Sequence, residues 1–255
     1  MDQFIKINSL KKVFGEGEDE VHAFGPVDIS IKSGEFVSVL GPSGCGKSTL
    51  MLMMAGLLEP TSGKISFDGK SVDGPKNDIG IMFQDNTLVP WRTVEGNIKL
   101  QLELRNLDIN EHKDKIYNIL KSVKLEDFAK RYPSELSGGM QQRAAFCQAM
   151  IHEPNTILLD EPLGKLDAMT REKIRSDIQN LWMINKPTVV FVTHSIEEAV
   201  QLSSRVILIS PRPGVVDREI NIDLPYPRDL DVKRSSKFFE YVHEIQEVFH
   251  EYGVI

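Results

Sequence analysis

The sequence contains few cysteines and no long apolar segment. Its 255 residues include two cysteines, Cys45 and Cys147, which is too few for a disulfide scaffold, and their spacing matches no zinc motif. The longest nearly apolar run, residues 50–58, is far shorter than the roughly 20 residues that a membrane-spanning helix needs. The first residues show no apolar stretch of signal-peptide length. We therefore expect a cytoplasmic protein that acts at a membrane only through partners.

Basic residues are in the minority. The chain has 30 Lys and Arg against 37 Asp and Glu, a formal net charge of −7. This balance argues against a nucleic-acid partner, which requires an extended basic surface. It leaves open the binding of one polyanion in a local pocket, because backbone N–H groups can line such a site.

Short apolar runs alternate with helical patterns along most of the chain. The apolar runs predict strands at residues 36–40, 64–67, 79–83, 156–159, 188–192 and 206–209. Helical patterns cover residues 47–58, 140–151, 174–184 and 196–202. This alternation predicts a largely parallel sheet in an α/β fold. Residues 94–132 are charged and contain few breakers, which indicates a block of helices inserted into that core.

A glycine-rich loop follows the first of these predicted strands. It fits the pattern G-x-x-x-x-G-K-[ST] and consists of Gly41, Pro42, Ser43, Gly44, Cys45, Gly46, Lys47 and Ser48, with Thr49 next. The glycines let backbone N–H groups wrap a phosphate at a helix N-terminus, and Lys47 adds a positive charge. The Ser48 hydroxyl can ligate Mg²⁺. A chance glycine-rich turn is disfavoured by the strand before it and the helix after it.

The predicted strand at residues 156–159 is followed by two acids, Asp160 and Glu161. In P-loop enzymes an acid at this place holds Mg²⁺, and we assign that role to Asp160. Glu161 would orient and polarise an attacking water. Taken alone, the pair is explained equally well by a helix N-terminus, but together with the phosphate loop it favours nucleotide hydrolysis.

A second glycine-containing element, Ser137, Gly138 and Gly139, precedes the predicted helix 140–151. Ser137 is a plausible N-cap, and the glycines expose backbone N–H groups. On its residues alone the stretch is only a capped helix. It nevertheless resembles the signature loop of ABC-type ATPases, with Met140 where glutamine is commonest.

The other motifs of that family follow in the family's order. Their residues are Phe14, placed where an aromatic stacks on adenine, the Q-loop glutamine Gln84, the D-loop aspartate Asp167 and the switch histidine His194. The resemblance implies a P-loop NTPase (RecA-like) α/β core with a small antiparallel β region and an inserted helical subdomain. The division it implies is a core of residues 1–84 and 155–230, a helical subdomain 85–154 and a C-terminal amphipathic helix 231–255.

The resemblance also implies a mechanism with ATP and Mg²⁺ in a head-to-tail dimer of two ATPase subunits. Ser137, Gly138, Gly139 and Gln141 of one copy would contact the ATP held by the other. Gln84 would act with Ser48 and Asp160 at the metal, and it would report the state of the site to the helical block. His194 would contact the γ-phosphate, although without the other motifs a structural histidine would be the favoured interpretation. Lys165 stands in the D-loop where a small residue is usual, and its effect is left open.

Local patterns indicate the subfamily. Residues 25–28, 90–94, 210–214 and 222–228 are similar to ATPases of nitrate, sulfonate and taurine importers. This implies a peripheral subunit at the cytoplasmic face of the membrane, with integral-membrane permease subunits as partners and, indirectly, an extracytoplasmic solute-binding protein. Trp91, in an apolar turn, would meet the permease or pack inside the helical block. The apolar stripe at residues 238–252 would pack on its own core or on a partner.

Two other functions fit parts of the pattern. A soluble ABC ATPase not coupled to transport usually has two cassettes or a long coiled-coil insertion, and this chain has neither. A P-loop kinase is disfavoured because the signature helix and the acid pair fit water as the acceptor.

Overall fold

A computed structural model describes residues 3–164 and 166–253 of the chain, so Lys165 lies outside the described residues. The strands in chain order are β1 (Gln3–Phe14), β2 (Val21–Lys32), β3 (Phe36–Leu40), β4 (Ser62–Phe67), β5 (Lys70–Ser71), β6 (Ile79–Met82), β7 (Thr156–Asp160), β8 (Thr188–Thr193), β9 (Arg205–Ile209) and β10 (Val216–Asn221). The helices are α1 (Lys47–Met54), α2 (Val94–Leu104), α3 (Lys113–Ser122), α4 (Gly138–Met150), α5 (Ala168–Asn185), α6 (Ile196–Leu202), α7 (Leu230–Lys233) and α8 (Ser236–Glu251).

The chain divides into two compact units. The first consists of Met1–Lys76 and Thr188–Ile255, and the second of Asn77–Pro187. Among the described residues, none of the helices combines the length and apolar character of a membrane span.

The first unit contains an antiparallel sheet in the order β2-β1-β4-β5. Alternate residues of β2 are buried, among them Val27, Ile29 and Ile31. This is the pattern of a sheet with one face on the core. The pairing of β1 with β2 shifts register between Ile7 and Leu10, so β1 lacks the strict alternation that identifies a strand in a sequence.

The first unit also contains parallel strands β8, β3 and β9, and β10 pairs antiparallel with β9. Every residue of β3 and β8 is buried, which explains why these strands are continuous apolar runs. Leu40 pairs with Thr193 on one side and with Leu208 on the other. The segments that follow β3, β8 and β9 therefore leave the same edge of the sheet.

Helix α8 packs on the core of its own unit. Phe238, Ile245, Val248 and Phe249 are buried in a cluster with Ala199 and Val200 of α6 and with Val206 and Leu208 of β9. The alternative that this stripe awaits a partner is therefore not needed to explain its apolar residues.

The segment before α7 is held by a buried arginine. The Arg228 side chain is 1% exposed, and its guanidinium lies 4.2 Å from the ring centroid of Tyr226. It donates to the main-chain carbonyl oxygens of Val200, Ser203, Ile222 and Leu224. Val200 and Ser203 belong to the last turn of α6 and its cap, so a positive charge lies at the negative end of that helix.

The second unit contains the parallel strands β6 and β7 and the helices α2 to α5. Met82 pairs with Leu159, so the residues that follow these two strands also leave one sheet edge. The helical stretch predicted at residues 94–132 is present as α2 and α3. Helix α5 starts at Ala168, earlier than predicted, because Asp167 caps it by accepting from the backbone N–H groups of Met169 and Thr170.

Candidate nucleotide-binding site

The phosphate loop (residues 41–48) connects β3 to α1 in the first unit. Lys47 is buried, and its ammonium donates to the carbonyl oxygens of Gly41 and Pro42, each at 2.8 Å. The loop thus holds its lysine against its own backbone, at the N-terminus of α1. Such a place favours an anion, because helix N–H groups and a cation point to it together.

The last glycine of the loop has a specific steric role. Gly46 caps α1 with φ of +96°, and a Cβ placed on it would lie 2.4 Å from the carbonyl oxygen of Ala23 and 2.9 Å from the Phe24 ring. Only glycine combines this conformation with so close an approach.

The thiol of Cys45 in the phosphate loop is shielded from solvent. It is 1% exposed, and burial raises its pKa. A buried thiol with a raised pKa forms little thiolate and reacts slowly with alkylating reagents.

His194 follows β8 at the sheet edge from which the phosphate loop leaves β3. The turn around it is fixed by Thr193, whose hydroxyl donates to Glu198 at 2.6 Å and accepts from the Ser195 N–H at 3.0 Å. His194 itself is exposed. It is therefore held at a defined place on the surface and is not packed in the core.

Phe14 ends β1 and is 43% exposed. The Lys12 ammonium lies 5.1 Å from the centroid of its ring. An exposed ring at the end of a strand offers a flat face on which a base can stack.

In the second unit, the side chains of Gln84 and Glu161, both candidates for a role in hydrolysis, contact each other. Gln84 Nε2 donates to Glu161 Oε2 at 3.2 Å. Asp160 at the end of β7 is buried, and the adjacent Glu161 adopts φ of +41°. A non-glycine residue in this region costs about 1–3 kcal/mol, and such strain clusters at functional sites.

The signature loop lies at the start of α4. Ser137 caps the helix by accepting from the Met140 N–H at 3.4 Å. A Cβ on Gly139 would lie 2.3 Å from Thr170 Cγ2, so a larger residue would have to displace the Thr170 side chain where α4 meets α5. A Cβ on Gly138 would meet only Leu166, at 4.0 Å. Packing within the described residues therefore does not explain why residue 138 is a glycine.

Gln141 is engaged inside its own unit. Its amide nitrogen donates to the carbonyl oxygens of Pro133 at 2.8 Å and Leu136 at 3.4 Å, and its carbonyl oxygen accepts from Asn86 at 2.7 Å. These bonds fix the segment that leads into the signature loop. They also tie that segment to the residues just after Gln84.

Asp167 caps α5, and hydrogen bonds from Thr170 lower its pKa. It is exposed and ionised at neutral pH.

Trp91 is 78% exposed, whereas Leu88 in the same turn is 7% exposed. The alternative that Trp91 packs inside the helical block is therefore excluded. Sequence reasoning missed Asn97, a fully buried residue of α2 that holds this turn. Its side chain donates to the carbonyl oxygens of Val89, Arg92 and Thr93 and accepts from the Val89 N–H. The sequence signal that could have identified Asn97 is a polar residue within the apolar face of α2.

The donor set predicted for Mg²⁺ consists of oxygen atoms. Ser48 offers a hydroxyl oxygen, Asp160 a carboxylate and Gln84 the carbonyl oxygen of its side-chain amide. The nitrogen of that amide donates to Glu161. Hard oxygen donors with a single carboxylate fit Mg²⁺ bound together with substrate phosphates. Among the described residues there is no group of three or more His, Cys, Asp or Glu side chains that could hold a metal ion by itself.

Comparison with known proteins gives a consistent result. The profile of the ABC transporter family matches residues 24–164. The aliphatic sulfonates import ATP-binding protein SsuB of Bacillus cereus is 41% identical over 98% of this chain and 96% of its own length. The nitrate import ATP-binding protein NrtD of Synechocystis is 39% identical over 96% of this chain and 94% of its own length.

A solved dimeric ATP-binding cassette, described as a post-hydrolysis state bound to ADP and Pi, is similar in fold. It has a TM-score of 0.75 and 35% identity, and the match covers 86% of this chain and 98% of that one. The predicted P-loop NTPase fold, with its α/β core and antiparallel β region, is confirmed.

Proposed function

Because the chain belongs to the ABC transporter family, we propose that it is the ATP-binding subunit of an importer for a small solute of the sulfonate, nitrate or taurine kind. The chain is an ATP hydrolase of the ABC type. The observation that carries the importer role is the similarity to SsuB over nearly the full length of both chains. An ABC ATPase without a transport role is not favoured, because the relatives named as import proteins match far beyond the ATP-binding motifs.

The phosphate loop and Phe14 bind ATP. Backbone N–H groups of residues 41–48 and the Lys47 ammonium hold the phosphates, and the Phe14 ring stacks on the base. Lys47 exchanges its bonds to Gly41 and Pro42 for phosphate oxygens. Ser48, Asp160 and Gln84 are the residues that would hold Mg²⁺, which neutralises charge on the β- and γ-phosphates.

Glu161 polarises the water that attacks the γ-phosphorus. The bond to the bridging oxygen breaks, ADP leaves, and the proton of the water passes toward the carboxylate. Gln84 holds Glu161 through the 3.2 Å hydrogen bond. His194, fixed by Thr193 and Ser195, donates to the γ-phosphate and keeps the reacting groups aligned.

Two ATPase subunits act as a head-to-tail pair, and a homodimer is the simplest form. The Ser137 hydroxyl and the N–H groups of Gly138 and Gly139 contact the γ-phosphate bound to the other copy. The open space at Gly138 supports this role, since a side chain there would obstruct a ligand and no described residue of the chain requires its absence. The dimeric arrangement of the solved relative supports the pair.

The Trp91 turn contacts an integral-membrane permease. An exposed tryptophan on a turn fixed from within by Asn97 has the character of a binding hot spot. The subunit then works at the cytoplasmic face of the membrane, and an extracytoplasmic binding protein delivers the solute to the permease.

The decisive experiment is co-purification of the full chain with the permease, followed by ATPase assays in lipid vesicles with a sulfonate, nitrate or taurine and the binding protein. We expect the cognate solute to stimulate phosphate release. The Glu161→Gln variant is the matched control for ATPase activity. Phosphate release by the wild type without permease association would support an uncoupled ATPase instead.

A further inference from the structure

Two of the subfamily patterns, residues 25–28 and 210–214, are far apart in the sequence and meet in the first unit. The Gly25 N–H donates to the Gly214 carbonyl oxygen at 2.8 Å. Phe24 and Gly214 form an isolated parallel bridge. The turn after β9, residues 210–215, is named here the proline-glycine loop, and it is joined to β2 by these bonds.

The proline-glycine loop touches the backbone of the phosphate loop. A Cβ placed on Gly214 would lie 1.9 Å from the carbonyl oxygen of Cys45 and 3.0 Å from its carbonyl carbon. Gly214 does not have a positive φ, so its glycine is required by this close approach and not by its conformation. A real Cβ at this place would have to displace one loop or the other.

Two further contacts hold the phosphate loop at other points. A Cβ on Gly41 would lie 2.9 Å from the carbonyl oxygen of Ile209, which ends β9. On the other side, a Cβ on Gly46 would lie 2.4 Å from the carbonyl oxygen of Ala23 in β2. Gly41, Cys45 and Gly46 of the phosphate loop thus lie against β9, the proline-glycine loop and β2, respectively.

The proline-glycine loop is itself held by Ser210. Its hydroxyl accepts from the Val215 N–H at 3.2 Å and lies 3.1 Å and 3.3 Å from the carbonyl oxygens of Pro211 and Pro213. The backbone N–H of Ser210 donates to the Val215 carbonyl oxygen at 3.0 Å. The turn therefore presents Gly214 in one position.

We propose that Gly214 is a positioning residue for nucleotide binding: through Cys45 it sets the backbone conformation in which the phosphate loop offers its N–H groups to phosphate. The inference rests on the proposed binding of nucleotide phosphates by residues 41–48. Several backbone donors must converge on one phosphate, so a small displacement of the loop weakens several charge-assisted hydrogen bonds together.

The test compares Gly214→Ala with Gly74→Ala in the full chain. Gly74 is a matched control, because it lies in the same unit, lacks a positive φ and has no atom within 4 Å of an added Cβ. The dissociation constant of MgADP is measured by calorimetry, and kcat and KM for MgATP by phosphate release. We expect Gly214→Ala to raise both the dissociation constant and KM by about tenfold or more with kcat little changed, and Gly74→Ala to behave as the wild type.

Ser210→Ala provides a milder second variant should Gly214→Ala fold poorly. It loosens the proline-glycine loop without inserting an atom beside Cys45, and we expect a smaller rise in the MgADP dissociation constant. Unchanged MgADP affinity in both variants would overturn the proposal, even if the melting temperature or kcat is lower. Lys47→Ala tests the underlying site separately, because unchanged MgADP binding in that variant would refute the phosphate site itself.

Discussion

The side-chain amide of Gln84 donates a hydrogen bond to the carboxylate of Glu161 over 3.2 Å. The two residues follow β6 and β7, which run parallel with Met82 opposite Leu159. Because these strand ends share one edge, a residue from each can meet there. Gln84 therefore fixes one oxygen of the proposed catalytic carboxylate.

We expect Glu161→Gln to retain MgATP binding and to lose turnover by at least about 100-fold, the size of a general-base contribution. The glutamine carbonyl can still accept from Gln84, so the local geometry is kept while the base is removed. Size-exclusion chromatography with MgATP should show a trapped dimer that the wild type does not accumulate. Hydrolysis near the wild-type rate would exclude Glu161 as the base.

His194→Ala is expected to lose most of the ATPase activity and to keep nucleotide affinity. Thr193 and Ser195 hold the turn without the imidazole, so the fold around residue 194 should persist. His243→Ala is the control, because His243 is an exposed histidine of α8 in the same unit. Equal phosphate release by the two variants would remove His194 from the mechanism.

Arg228→Met should lower the free energy of unfolding by about 2–4 kcal/mol, because buried carbonyl oxygens lose their charged donor. The methionine fills part of the volume of the arginine. It has no donor for the carbonyl oxygens of the last turn of α6 and no positive charge to place over the Tyr226 ring. Chemical denaturation measures the loss. Arg218→Met, at an exposed arginine paired with Glu251, should change stability by less than about 0.5 kcal/mol. Equal losses of unfolding free energy in the two variants would contradict the stabilising role of the buried Arg228 contacts.

Local patterns in the sequence predicted the elements that depend on short-range chemistry. Helix α6 begins at Ile196 and ends at Leu202 as predicted, since Ser195 provides its cap and the pattern is uninterrupted. The strand β3 likewise matches its apolar run.

Features that depend on long-range packing could not be predicted. Strand β1 was not identified from its residues, because the bulges that shift its register disrupt the apolar alternation. The contact of Gly214 with Cys45 joins segments distant in the chain, and no local pattern specifies such a pair. The burial of the Cys45 thiol likewise depends on the fold, and no pattern within the phosphate loop specifies it.

Both thiols should therefore resist alkylation in the native chain. Burial raises the pKa of Cys45 and that of Cys147, so little thiolate is present at neutral pH. Mass spectrometry after brief iodoacetamide treatment should find neither residue modified without nucleotide, and both modified in guanidinium chloride. Rapid native labelling of Cys45 that MgADP suppresses would contradict the buried state.

Trp91→Ala should weaken association with the permease without lowering stability. Trp91 is 78% exposed, and Asn97 holds its turn through backbone groups that the substitution does not touch. Truncation of an exposed aromatic anchor at an interface commonly costs about 2 kcal/mol or more, and a pull-down with the permease would show this as lost recovery. Ile184→Ala is the matched control, because Ile184 is 73% exposed in the same unit and is not part of the turn. Undiminished recovery of the permease with Trp91→Ala would mean that this turn is not the contact.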